Sequence, residues 1–266
     1  MKKIKKAATA LKNIAAKPAL LNLVLEENEH HLAELNKKYK NLQSLPQIEF
    51  ADLDEEFDGT VETFLLDGSS LPTDLALLKT LAQGKNSYFE IGTWRGESVW
   101  NVAKHISDCT TFNLPKEEID QLGMPKKYAE LHGFLSKRNP AIKHLTGNSS
   151  VFDFESLGRK YDFIFIDGDH SYEMVKNDTE KVFGSLVHEN SVVVWHDYAH
   201  NPEKIRYEVL RGIMDGTPSM FHQNLYHVAN TLCAVFLPGN FQTKKFESPK
   251  TPEHLFEVTI GIKENW

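Results

Sequence analysis

The stretch YDFIFIDGDHSYE, residues 161–173, decides the fold. Four apolar residues, Phe163–Ile166, form an unbroken run that ends in the polar cluster Asp-Gly-Asp-His at 167–170. Such a run predicts a strand buried on both faces, as in parallel sheets that helices cover on both sides. The polar cluster then follows the strand's carboxyl end, which is where open α/β sheets bind ligands. A turn with Ser171 as a helix N-cap explains only part of this cluster.

The composition is that of an ordinary globular protein of 266 residues, with 41% hydrophobic and 25% charged residues. A net charge of -7 provides no overall basic field, so no nucleic-acid partner is expected. The two cysteines, Cys109 and Cys233, form no CxxC pair. They suit a reducing compartment, which predicts a cytoplasmic protein. No apolar stretch approaches the ~20 residues that a transmembrane helix needs.

Residues 1–17 predict a basic amphipathic helix, because their apolar residues follow helical spacing between lysines. Lys12 and Lys17 interrupt the apolar residues, which argues against a secretory signal. One interpretation is peripheral contact with an anionic membrane surface. The other, a more frequent use of amphipathic helices, is docking onto the helix's own domain or onto a second subunit in a homo-oligomer.

The chain divides near residue 70. Residues 1–70 predict a helical extension followed by a polar connector, and residues 71–266 alternate strands with helices. Two late apolar segments, 233–238 and 256–262, predict strands with no helix between them, so at least one should be antiparallel. The alternation predicts an α/β fold with a doubly wound, mostly parallel, Rossmann-like sheet.

A glycine turn follows the first strand of this second part, in EIGTWRGES at residues 90–98. Gly92 and Gly96 allow a tight turn and close approach of a ligand to the backbone. The turn is neither the GxGxxG dinucleotide fingerprint nor a P-loop. Glu90 lies inside the strand, where a carboxylate is costly unless it has a partner.

The pattern from Glu90 to Gly96 resembles motif I of the class I S-adenosylmethionine-dependent methyltransferases. TGNSS at 146–150 is similar to that family's G-D-S turn, and the stretch 161–173 is similar to its fourth strand. The D-G-D-H ending resembles the subgroup of macrocin- and novobiocin-type O-methyltransferases and cephalosporin-hydroxylase-like proteins. The resemblance extends over about residues 71–262.

The resemblance implies a seven-stranded sheet and S-adenosyl-L-methionine as cofactor. The acceptor would be a small molecule or a sugar that is methylated at a hydroxyl, with Asp167, His170 and Asp197 as catalytic residues. By position in the family's motifs, the cofactor-binding residues would be Glu90, Gly92, Thr93, Gly96, Asn113, Asn148, Ser149 and Asp167.

Three positions depart from the family's pattern. Asn113 stands where an acid usually holds the ribose, with Glu117 and Glu118 as candidates to replace that acid. Asn148 replaces the aspartate of the G-D-S turn. His196 replaces one acid of the pair that ends the fifth strand.

By the same resemblance, Mg²⁺ would bind at Asp167, His196 and Asp197, about one βαβ repeat apart along the chain. Mg²⁺ prefers oxygen ligands, whereas imidazole suits Mn²⁺, Fe²⁺ or Zn²⁺. Either a softer ion binds here or His196 is not a ligand. In the alternative without metal, His196 and Asp197 hydrogen-bond to each other or cap the next helix.

These features together predict an S-adenosylmethionine-dependent methyltransferase that methylates a hydroxyl, with or without a metal. Two other classes remain open. A metal-dependent oxygenase or hydrolase would use the same acids and histidines, and a non-catalytic methyltransferase-like subunit would keep only the fold.

Overall fold

A computed structural model of the chain describes residues 2–16, 28–54, 59–66, 70–123, 126–251 and 255–264. Its helices are α1 (Lys2–Ala16), α2 (Asn28–Lys38), α3 (Pro72–Ala82), α4 (Glu97–Val102), α5 (Lys116–Gln121), α6 (Lys126–Leu131), α7 (Tyr172–Lys181) and α8 (Tyr207–Gly216). Its strands are β1 (Gln47–Ile48), β2 (Ser87–Ile91), β3 (Asp108–Asn113), β4 (Lys143–Thr146), β5 (Phe163–Ile166), β6 (Val192–Trp195), β7 (Ala199–Asn201), β8 (Lys204–Ile205), β9 (Leu225–Val228) and β10 (Ala234–Phe236). No helix within these ranges is long and apolar enough to cross a membrane.

The central sheet has the strand order β1-β9-β10-β6-β5-β2-β3-β4. Strands β6, β5, β2, β3 and β4 are parallel to one another, whereas β10 is antiparallel to both β6 and β9. The remaining two strands, β7 and β8, form a separate hairpin. Because β5 and β6 are direct neighbours, the polar residues that follow them lie side by side.

Alternate residues of the buried strands pack into two apolar cores, one on each face of the sheet. In β5, Ile164 and Ile166 belong to the core that includes residues of α2, α7 and α8. Phe163 and Phe165 belong to the opposite core, which includes residues of α3 and α4. This two-sided burial explains why the sequence of β5 is continuously apolar.

The predicted fold class, a doubly wound and mostly parallel α/β sheet with a late antiparallel strand, is confirmed. Within the described ranges the sheet has eight strands rather than seven, because Gln47 and Ile48 pair with β9 at one edge. This stretch was expected to be a polar connector, and that expectation is wrong: Ile48 and the neighbouring Leu45 and Phe50 are buried. The division of the chain at residue 70 stays a prediction.

The strand predicted at residues 256–262 is absent, since these residues carry no regular structure. A segment of alternating apolar and polar residues forms a strand only where the edge of a sheet is free to pair with it. The backbone of Gln47, on the edge strand β1, is instead bonded to Lys244. Ile260 and Ile262 are accordingly exposed, and the ring of Phe256 packs edge-on against the ring of Phe50.

Candidate functional site

The carboxyl ends of the parallel strands meet along one edge of the sheet, which we call the rim. Asp167 N, just after β5, donates to Ile91 O at the end of β2 over 2.8 Å. Gly92 N in turn donates to Phe112 O of β3 over 2.9 Å. These backbone bonds bring the glycine turn and the D-G-D-H cluster together, as the sequence predicted.

Both glycines of the turn are required by the packing of the chain on itself. Gly92 has φ of 87°, and a Cβ there would meet the backbone oxygen of Asp167 at 2.1 Å. Gly96 has φ of 85°, and a Cβ there would meet the Ser136 hydroxyl at 2.3 Å. A side chain at either position therefore combines left-handed backbone strain with a steric clash.

Glu90 is fully buried in β2, and hydroxyl groups satisfy its carboxylate. The hydroxyls of Tyr88 and Ser98 donate to Oε2 over 2.7 and 2.6 Å, and that of Thr93 donates to Oε1 over 2.9 Å. Burial raises the pKa of Glu90 to about 7, although these hydrogen bonds oppose the increase. Glu90 thus ties the strand to the glycine turn at Thr93 and to the helix that follows it at Ser98.

A cavity of about 500 Å³ opens at the rim, between the glycine turn and the residues that follow β3, β4 and β5. Its volume is typical of small-molecule sites. Neither Glu90 nor Gly96 lines it. The predicted cofactor and catalytic residues in its wall are Gly92, Thr93, Asn113, Asn148, Ser149, Asp167 and His170.

An aromatic group forms another part of the wall, and two of its members, Tyr128 and His132, were not predicted from the sequence. Trp94 stacks on Tyr128 with ring centroids 4.3 Å apart, and His132 packs edge-on against both rings. Burial lowers the pKa of His132, which favours a neutral ring. The segment carrying Tyr128 and His132 is bonded to the glycine turn, because Gly133 N donates to Trp94 O.

Asn113 and Asn148, which stand where the resemblance would lead one to expect acids, have polar neighbours in the cavity wall. Asn113 Nδ2 donates to Thr93 O over 3.1 Å, so this amide supports the glycine turn. Asn148 Nδ2 donates to Glu118 Oε2 over 2.9 Å, which connects one candidate replacement acid to the wall. Asp178 also lines the cavity but was not predicted, and burial raises its pKa.

A second cleft of the rim lies beside the cavity and is lined by residues that include His196 and Asp197. Nδ1 of His196 is 3.1 Å from Asp167 Oδ1 and 3.5 Å from Asp197 Oδ2. Nε2 is 3.2 Å from Asp74 Oδ2. The structure therefore brings the three predicted metal ligands together and adds Asp74, which the sequence analysis missed.

The charges of His196, Asp167 and Asp197 in this cleft strongly shift one another's pKa values. Burial disfavours the His196 imidazolium, but the surrounding carboxylates, Asp167 first, outweigh burial and hold its pKa well above the ordinary value. Burial raises the pKa of Asp167. Burial acts in the same direction on Asp197, yet the hydrogen bond and charge of His196 lower the pKa of that carboxyl overall, with help from Arg206 and His170.

The donor set in the cleft fits a divalent cation. One ligand atom each from Asp167, His196 and Asp197 lies within 4.8 Å of the others. Asp74 is fully buried and faces the second ring nitrogen of His196, as a carboxylate commonly does behind a metal-bound histidine. Asp197 has φ of 57°, an uncommon conformation of the kind found at functional sites. Imidazole among the ligands favours Mn²⁺ or Fe²⁺ over Mg²⁺.

Comparison with known proteins supports the predicted class. Residues 89–198, which contain the glycine turn and the ends of β5 and β6 but amount to less than half of the chain, match a family model described as a methyltransferase domain. The prediction of a methyltransferase is thus confirmed at the level of this domain, and the use of S-adenosylmethionine stays a prediction. The comparison with curated proteins gives no match.

Several solved structures are similar to the chain. A putative caffeoyl-CoA O-methyltransferase from Staphylococcus aureus has a TM-score of 0.42 and 19% identity, covering 84% of this chain and 99% of its own. CalS11, a TDP-rhamnose 3'-O-methyltransferase of calicheamicin biosynthesis, has a TM-score of 0.43 and 15% identity, covering 63% and 80%. Streptomyces venezuelae DesVI has a TM-score of 0.33 and 16% identity, covering 47% and 48%, so the match spans about half of that protein's length. With TM-scores below 0.5, none of them bears on the activity or substrate of this chain.

Proposed function

We propose that the chain transfers a methyl group from S-adenosylmethionine to a hydroxyl of a small molecule or sugar, with assistance from a divalent ion. One observation carries this proposal. Residues 167–170 line both the cavity and the cleft that holds His196 and Asp197. A methyl donor in the cavity and an acceptor at the cleft would therefore meet across Asp167.

The cavity wall suggests how the donor is held. Gly92 and Thr93 would contact its methionine part, and Asn148 and Ser149 would contact its adenine. Asn113 can offer the ribose one amide hydrogen-bond acceptor but no charge. Glu90 and Gly96 would act indirectly, because they shape the glycine turn without lining the cavity.

The acceptor hydroxyl would be oriented by Asp167, His170 and Asp197. Orientation of the attacking oxygen is the main contribution expected from the protein, since the cofactor carries the reactive methyl group. The hydroxyl proton would pass to a carboxylate oxygen of Asp167 or to the imidazole of the exposed His170. Burial raises the pKa of Asp167, which makes its carboxylate a stronger base than an exposed aspartate.

The ion would be held by Asp167, His196 and Asp197, with Asp74 orienting the imidazole. Such an ion would lower the pKa of the acceptor hydroxyl and fix its position. Protons compete with the ion for Nδ1 of His196, so we expect ion binding to weaken as the pH falls. The supporting observation is the arrangement of these ligand atoms within one cleft.

Three finer assignments accompany this proposal. We place the chain nearest the macrocin- and novobiocin-type O-methyltransferase subgroup. We place the methyltransferase domain at residues 71–266, with the edge strand β1 added to its sheet from the amino-terminal part of the chain. We also propose a cytoplasmic location, because Cys109 and Cys233 are both free and buried, as suits a reducing compartment.

Calorimetric titration with S-adenosylhomocysteine tests the donor site. Gly168 lines the cavity, and a Cβ there would make only ordinary contacts, 3.6 Å from Asp178 and 3.8 Å from Ile91. Gly168→Val should therefore fold while weakening binding at least tenfold. Gly184→Val is the matched control, because a Cβ at Gly184 meets nothing within 4 Å and this glycine does not line the cavity. No heat with the wild type would remove the proposed function, and equal binding by wild type and Gly168→Val would misplace the site.

Titration with Mn²⁺ tests the ion site separately. Asp197→Asn should weaken Mn²⁺ binding and leave S-adenosylhomocysteine binding unchanged, because Asp197 does not line the cavity. Methyl transfer that survives exhaustive chelation would remove the ion from the proposal and leave Asp167 or His170 as the base. Oxygen consumption with a candidate acceptor would instead favour an oxygenase, since methyl transfer uses no oxygen.

A further inference from the structure

Helix α1 carries an apolar face that is exposed except at Ile14, which is half-buried. At about 100° per residue, its apolar face falls within an arc of about 120°. Ile4 and Leu11, the residues near the centre of this arc, are 75% and 68% exposed. The residues of the face are Ile4, Ala7, Ala8, Leu11, Ile14 and Ala15.

The remainder of α1 is basic. Lys5, Lys6 and Lys12 lie outside the apolar arc and are exposed. The sequence adds lysines at positions 2 and 3 and has no acidic residue before Glu26. An overall charge of -7 thus includes a strongly positive segment at α1.

A helix of this length needs a surface to stabilise it. Isolated helices shorter than ~12–15 residues are marginal in water, and α1, with 15 residues, is at the upper end of that limit. A narrow apolar face bordered by lysines suits the boundary between lipid headgroups and acyl chains, where the apolar residues are buried and the lysines face anionic phosphates.

We propose that α1 binds the surface of an anionic lipid bilayer and lies in the plane of that surface. A second copy of the chain is a poorer partner. Half of the apolar face is alanine, which offers little area for a stable dimer interface. Two α1 helices side by side would also bring two clusters of lysines together, whereas an anionic bilayer compensates that charge.

Co-sedimentation of the full chain with vesicles tests this proposal. We expect binding to vesicles of phosphatidylglycerol and phosphatidylcholine, little binding to phosphatidylcholine alone, and a steady loss as salt rises. Helical circular dichroism should increase when the anionic vesicles are added.

Matched variants separate the two contributions to binding. Leu11→Asp should abolish binding, while Met220→Asp, at a site that is 70% exposed and outside α1, should leave it unchanged. Lys5→Gln and Lys12→Gln should each weaken partitioning about fivefold, since each lysine contributes roughly that factor at an anionic surface. Lys245→Gln, an exposed lysine elsewhere, should have no effect.

Three results would overturn the proposal. The first is an absence of anionic vesicle binding at low salt. The second is a dimer that Leu11→Asp converts to monomer while vesicles bind neither form, which would identify a second copy as the partner. The third is equal loss of binding in Leu11→Asp and Met220→Asp.

Discussion

Substitution of the buried acid Glu90 by glutamine should change how stability depends on pH. Folding raises the pKa of Glu90 from 4.5 to about 7, chiefly through burial. Between these values the folded chain keeps a proton that the unfolded chain has lost. Stability contributed by this group is therefore complete below pH 4.5 and is lost as the pH rises towards 7.

The magnitude follows from the same two pKa values. At about 1.4 kcal/mol per pH unit, the wild type should lose about 2.5 kcal/mol of unfolding free energy through Glu90 between pH 5 and pH 8. Glu90→Gln cannot lose a proton and avoids this loss. The amide oxygen can keep the bonds from Tyr88 and Ser98, and the amide N–H can donate to the Thr93 hydroxyl, so the hydrogen-bond network survives.

Urea denaturation at pH 5 and pH 8 measures the effect. We subtract the unfolding free energy of the wild type from that of Glu90→Gln at each pH. This value should be about 2.5 kcal/mol higher at pH 8 than at pH 5. Glu189→Gln, at an exposed position, is the control and should show the same difference at both pH values. An unchanged difference for Glu90→Gln, or a change of opposite sign, would refute the reasoning.

Three further predictions concern the rim. Gly92→Ala should prevent stable folding, because the added Cβ would meet a backbone oxygen. Gly84→Ala, where φ is 70° but the space is open, should lower the unfolding free energy by only about 1–2 kcal/mol, as measured by denaturation. Similar losses of stability in the two variants would contradict the clash at Gly92. Asp74→Asn should weaken Mn²⁺ binding about tenfold or more by releasing the His196 ring, and unchanged calorimetry would remove Asp74 from the ion site. Trp94→Ala should weaken S-adenosylhomocysteine binding about tenfold as the aromatic wall is lost, and unaltered affinity would show that this wall does not contact the cofactor.

The buried strands were predictable because their signal is local. The apolar runs of β5 and β6 each end at ionisable residues, and the strand-helix alternation places these ends on one rim. The edge strand β1 was not predictable, since two residues carry no periodicity and one of them is the polar Gln47. Its burial arises from pairing with β9, which is distant in the sequence.

The missing parts of the site depend on tertiary contacts. Asp74 accepts a hydrogen bond from the backbone N–H of Leu71 at the start of α3. From the sequence alone it therefore looks like an ordinary acidic residue in the first turn of a helix. Only the folded chain brings it to His196. Tyr128 and His132 likewise reach Trp94 only because their segment docks on the glycine turn.

A crystal structure of the chain with S-adenosylhomocysteine tests the central claim most directly. We expect the homocysteine part to lie against Gly92 and Thr93, the adenine to lie against Asn148 and Ser149, and the sulfur to face Asp167. Ligand bound elsewhere, or a clear map of this cavity without ligand at saturating concentration, would contradict it.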